Sequence, residues 1–236
     1  MSADTPLLLL PGMMCDARLF SPQLDRFETE RPVLVVDLTG ADTVQQLAEQ
    51  VLAQAPWPEF ALAGLSMGGI VAMEVARQAP ERVLGLALLN TNPWAESESV
   101  KIKRQPQIDA VLAGELLSVI EHQMAPKFSP DEEIPCDELP LVLAMAKDLG
   151  GDIFVRQSRA LRDRPDQTDT LEKTGVPGLA LVGEGDQLCP LDRHQAIADL
   201  MPDCELIVLP GVGHLTTLQA PEATNEALAN WLERIK

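Results

Sequence analysis

Gly64-Leu65-Ser66-Met67-Gly68-Gly69 is the segment whose residue types and spacing most directly permit chemistry. A serine hydroxyl is presented for attack when a tight strand-to-helix turn holds it exposed, and flanking glycines let neighbouring backbone approach closely enough to make that turn. Here the apolar run Phe60–Leu65 reads as a buried strand and Met67–Gln78 as a helix, whose N-terminus favours negative charge developing beside Ser66. An ordinary glycine-rich turn is the competing reading. A dinucleotide loop is not matched, because Gly183-Glu184-Gly185 and Gly211-Val212-Gly213 lack the third glycine of that fingerprint.

A serine hydroxyl is a weak nucleophile at neutral pH and needs a base. Of the three histidines, His214 alone sits in a loop just past an apolar run, in Leu209-Pro210-Gly211-Val212-Gly213-His214. His122 falls in an insertion. His194 falls in a predicted helix, 191–201, where a surface or packing role is expected although His194 and Asp199 are spaced as in some acyltransferase motifs. His214 is therefore the expected base, and the residue that orients it must be a carboxylate. Asp186 qualifies, following an apolar run in Gly183-Glu184-Gly185-Asp186. Glu184 is expected to be committed to the turn, and Asp192 to face the first amides of the helix after Pro190.

Six apolar runs read as buried parallel strands: Leu7–Leu10, 33–36, Phe60–Leu65, Val83–Leu89, 179–182 and 206–209. Their starts are 23 to 27 residues apart except for one interval of 96. Helical patterns lie between them, including 43–55 with Asp42 as N-cap and Gln45 as its partner, and 221–235 opening on Pro221. The expectation is an α/β fold with a mostly parallel sheet covered by helices on both faces. Residues 1–92 and 175–236 would form its core, with 93–174 inserted as a helical lid or a small satellite after the fourth recognised strand. Within the insertion Ile108, Leu112, Leu116 and Ile120 recur every fourth residue, and 140–149 is apolar. Turn signals at 127–135, Gly150-Gly151 and Pro165 divide it into three or four short helices.

The 236 residues carry 46% hydrophobic and 23% charged side chains, enough for one self-sufficient domain. A net charge of −18 makes nucleic acid and anionic membrane poor partners. Four scattered cysteines give no metal site or redox dithiol, and no cofactor is implied. With no signal-peptide pattern and no apolar stretch of membrane-spanning length, a cytoplasmic enzyme is expected.

The chain order Ser66, Asp186, His214 is that of the α/β-hydrolases, which the chain resembles from Leu7 onward, with small capped bacterial carboxylesterases as the closest flavour. The resemblance implies that the backbone N–H groups of Met13 and Met67 form the oxyanion hole. It also implies that the insertion caps the site, with Trp94 and 122–128 as candidates for the acyl pocket. Pro11-Gly12-Met13 departs from the family's H-G-x by lacking the histidine that braces the loop, and Asp37-Leu38-Thr39-Gly40 resembles its D-x-x-G turn. The activity implied is hydrolysis of a small ester or thioester with an apolar acyl or aryl group, over an apolar floor of Met13, Met14 and Met67. Acyltransferases, enol-lactonases, C–C hydrolases and perhydrolases share the triad, and a binding protein that retains it is a further alternative.

Overall fold

A computed structural model describes residues 5–131 and 136–235. The six apolar runs become strands, four of them buried almost throughout and the two at the sheet edges half-buried: β1 (Leu7–Leu10), β2 (Val33–Val35), β3 (Phe60–Leu65), β4 (Val83–Leu89), β5 (Gly178–Gly183) and β6 (Cys204–Leu209). They form one wholly parallel sheet in the order β2-β1-β3-β4-β5-β6. The chain therefore reverses its direction of growth between β1 and β3, and adjacent loops there part to leave a crevice at the strands' carboxyl ends.

Alternation along each strand divides the core into two apolar clusters. Leu7 and Leu9 lie on one face with Phe27 of α1 (Ser21–Phe27) and Trp231 of α11 (Pro221–Glu233). Leu8 and Leu10 lie on the other with Leu47 of α2 (Val44–Gln54), Val71 of α3 (Met67–Gln78) and Ile197 of α9 (Leu191–Leu200). A short α10 (Thr216–Gln219) precedes α11. Helix α2 is capped one residue later than the sequence reading placed it. Extended Thr43, not Asp42, accepts the Gln46 N–H through its hydroxyl, so the capping pair is Thr43 with Gln46.

Between β4 and β5 the described residues form five helices rather than three or four: α4 (Glu98–Leu112), α5 (Leu116–Val119), α6 (Leu139–Leu149), α7 (Gly151–Arg162) and α8 (Thr168–Lys173), with a π-helical turn at Ile120–Met124. The fourfold pattern through Leu112 does not mark one amphipathic helix. Gly114 at φ 96° breaks the chain between α4 and α5, which leaves Leu112 66% exposed while Ile108 and Ile120 are buried. Gly150 at φ 84° separates α6 from α7, and residues 132–135 of the expected 127–135 turn lie outside the described residues. Ile108, Val142, Met145 and Phe154 of this segment join one core cluster, and Leu161 and Leu171 the other. Among the described residues no helix is long and apolar enough to cross a membrane.

Candidate active site

Ser66 occupies the single residue between β3 and α3, with φ 55° and ψ −115°. A non-glycine residue there costs about 1–3 kcal/mol and persists only where its surroundings enforce it. Two contacts do so: the Ser66 N–H donates to Leu89 O at 2.9 Å, and its carbonyl accepts from Thr91 Oγ1 at 2.7 Å. The glycines permit the approach. A Cβ on Gly64 would stand 2.3 Å from Gly68 O, and one on Gly68 only 1.9 Å from Leu10 O, so β1, β3 and α3 touch backbone to backbone. The first amides of α3, Met67 among them, have no intrahelical carbonyl to bind.

Asp186, on the loop after β5, and His214, on the loop after β6, are brought together: His214 Nδ1 lies 2.8 Å from Asp186 Oδ2, and both residues are buried. The other carboxylate oxygen accepts the N–H groups of Leu188 and Cys189 at 2.8 and 2.9 Å, and Oδ2 also accepts from Asn90 Nδ2 at 2.8 Å. Burial by itself raises the Asp186 carboxyl. The facing His214 charge and the hydrogen bonds from His214, Cys189 and Asn90 outweigh it and hold the carboxyl well below the usual carboxylate range. An ionised Asp186 keeps the proton of His214 on Nδ1 and leaves Nε2 as the basic nitrogen. The imidazole is fixed further by its backbone N–H, which donates to Phe128 O at 2.9 Å, and by stacking on the Phe128 ring at 5.8 Å between centroids.

The rival residues lie elsewhere. Glu184 accepts the Gly211 N–H at 3.2 Å within the turn, and Asp192 stands in the first turn of α9 beside Arg193. His122 is exposed next to Glu121. His194 is fully buried, its Nε2 accepting the Thr91 N–H at 2.9 Å, and burial pulls its pKa down to about 4, while Asp199 is exposed and bonded to Gln195. Met13 lines the cavity at Ser66, but Met14 and Met67 do not form the apolar floor expected of them. Their side chains, each 1% exposed, belong to opposite core clusters.

Three supports escaped the sequence reading. Asn90, at φ 46°, bonds Asp186 and Gly213 O through Nδ2 and accepts the Thr216 hydroxyl at 2.6 Å, while Thr91 joins Ser66 to His194. Both follow the end of β4, a place where polar residues stand out, but their partners 96 and 103 residues away have no local signal. Gln157 of α7 gave no signal. It accepts the Met14 N–H at 2.8 Å and donates to Leu38 O at 3.1 Å, tying the turns after β1 and β2.

Asp186, Cys189 and His214 form the one cluster of potential metal ligands among the described residues. The donor set fits a metal poorly, because the carboxylate already accepts four hydrogen bonds and burial, with the Asp186 charge, pushes the Cys189 thiol well above its usual range.

A cavity of about 410 Å³ opens over Ser66, lined by Met13 and Ile70 from the core and by Trp94, Met124 and further residues from the segment between β4 and β5. It is large enough for a small organic substrate.

Comparison with known proteins places this geometry among relatives. Residues 7–227 match the model described as the alpha/beta hydrolase family. The chain is 28% identical over 98% of its length to the dihydrolipoyllysine-residue acetyltransferase component of the acetoin cleaving system of Pseudomonas putida, of which it spans 64%. It is 25% identical over 98% of its length to the pimeloyl-[acyl-carrier protein] methyl ester esterase of Yersinia enterocolitica, spanning 94% of that protein. Among solved structures, a thermophilic esterase from Thermogutta terrifontis, malate bound, superimposes with a TM-score of 0.87 at 25% identity, covering 99% of this chain and 91% of that one.

Proposed function

As this chain belongs to the alpha/beta hydrolase family, we propose that it is a serine carboxylesterase, cleaving a carboxylic ester or thioester through an acyl-enzyme on Ser66. His214 Nε2 takes the Ser66 proton as Oγ attacks the carbonyl carbon, and the backbone N–H groups of Met67 and Met13 hold the oxyanion. Collapse of the tetrahedral intermediate expels the alcohol or thiol, which takes the proton from His214. Water, deprotonated by the same nitrogen, then releases the acid and restores the serine. Asp186 holds the ring in the required tautomer and stabilises the imidazolium. Segment 93–174 acts as the lid, placing Trp94 and Met124 over the acyl group.

The observation that carries this reading is the buried Asp186–His214 pair on the sheet edge that also bears the strained Ser66. The esterase relatives named above support it. Turnover of a p-nitrophenyl ester by wild type and Ser66→Ala is the test. The variant is expected to stay folded and to lose turnover by a factor on the order of 10⁶, as comparable triads do. Residual turnover above about a thousandth of wild type would remove Ser66 as nucleophile.

A further inference from the structure

We propose that the ester cleaved at Ser66 carries an anion, a carboxylate or a phosphate, which Lys103 and Lys127 receive at the part of the cavity built by the inserted segment. The inference rests on Ser66 being the nucleophile. Its ground is the charge of the cavity: five basic side chains, Lys103, Arg104, Lys127, Arg164 and Arg193, line it against one acidic residue, Glu96. The chain as a whole has twice as many acidic as basic residues, 36 against 18, so this distribution opposes the average surface.

Three of the five cations have structural work. Arg104 and Arg164 converge on the buried Glu96 at 2.5 and 2.9 Å, joining the two ends of the inserted segment, and Arg193 stacks on Trp94 with its guanidinium carbon 4.4 Å from the ring centre. Lys103 and Lys127 have none, since neither forms an ion pair among the described residues. They stand on different elements, α4 and the turn Ala125–Lys127, and meet at the same cavity. A low-dielectric cleft lined by one sign of charge focuses its field and concentrates ligands of the opposite sign. A neutral ester would gain nothing from that field. An ester whose acyl or alcohol part ends in an anion would place its apolar stretch along Met13 and Ile70 and its charge between the lysines.

Two matched pairs of substrates test this. The mono-p-nitrophenyl ester of adipic acid is compared with p-nitrophenyl hexanoate for a carboxylate, and hexanoyl-coenzyme A with hexanoyl-N-acetylcysteamine for a phosphate. In at least one pair the anionic member is expected to show about tenfold higher kcat/KM at low salt, carried by KM, and the pair that shows it identifies the anion. That ratio should fall towards one in Lys103→Gln/Lys127→Gln, and in wild type as salt is raised to about 0.5 M. Equal or better cleavage of the neutral member in both pairs, with turnover still abolished by Ser66→Ala, would overturn the anion site and leave the nucleophile standing. If no ester is turned over, the nucleophile reading fails separately, and calorimetric titration with adipate and with coenzyme A reads the site directly. Salt-sensitive binding weakened by the double variant supports the site, and no binding of either overturns it.

Discussion

Asp186 meets four donors, and its carboxyl stays ionised far below the pH of any ordinary assay. The sign follows from the depressed value: Asp186 keeps its charge until pH falls through that value, so it contributes no acid limb of its own near neutrality. Asp186→Asn removes the carboxylate that orients His214 and stabilises the imidazolium, so turnover should fall on the order of 10⁴. Glu184→Gln and Asp192→Asn should cost about tenfold or less by comparison. Near-normal turnover in Asp186→Asn, with collapse in either of the others, would reassign the acid. The positions of Ser66, Asp186 and His214 were legible because each follows a strand end within a few residues, a local pattern. Asn90 and Thr91 were not, because their partners Asp186 and His194 lie 96 and 103 residues away, and no local rule announces such bonds.

At the scale of elements, apolar runs bounded by turn residues gave all six strands, since a strand in a parallel sheet covered by helices needs little beyond continuous hydrophobicity. The segment between β4 and β5 was less legible. Its helices pack on the core and on one another, and the fourfold spacing Ile108, Leu112, Leu116, Ile120 ran across the break at Gly114. Nothing local marked Gln157, which binds the turn after β1 from 143 residues away. Replacing it leaves the Met14 N–H and Leu38 carbonyl without their partner in the interior, at about 1–3 kcal/mol for each such group. Gln157→Leu is therefore expected to lower the urea midpoint by an amount worth about 2–6 kcal/mol. It should also lower kcat more than it raises KM, because it loosens the loop that carries Met13. An unchanged midpoint and an unchanged kcat would show that the brace carries no load.

Across the whole molecule, the parallel sheet gathers the ends of β1, β3, β4 and β5 on one edge, so loops far apart in sequence share one cavity. Apolar residues of segment 93–174 join the same two clusters that cover the sheet, which fixes that segment to the core. The acidic surface, at a net charge of −18, is interrupted at the cavity that would receive the substrate. All of this converges on one covalent event. The most direct test is the intact mass of the protein, quenched in acid during turnover of a p-nitrophenyl ester, followed by location of any added acyl group. One acyl group on Ser66, absent from Ser66→Ala, is the predicted result. Continued turnover with no adduct on Ser66, or with the acyl group on another residue such as Cys189, would contradict the account.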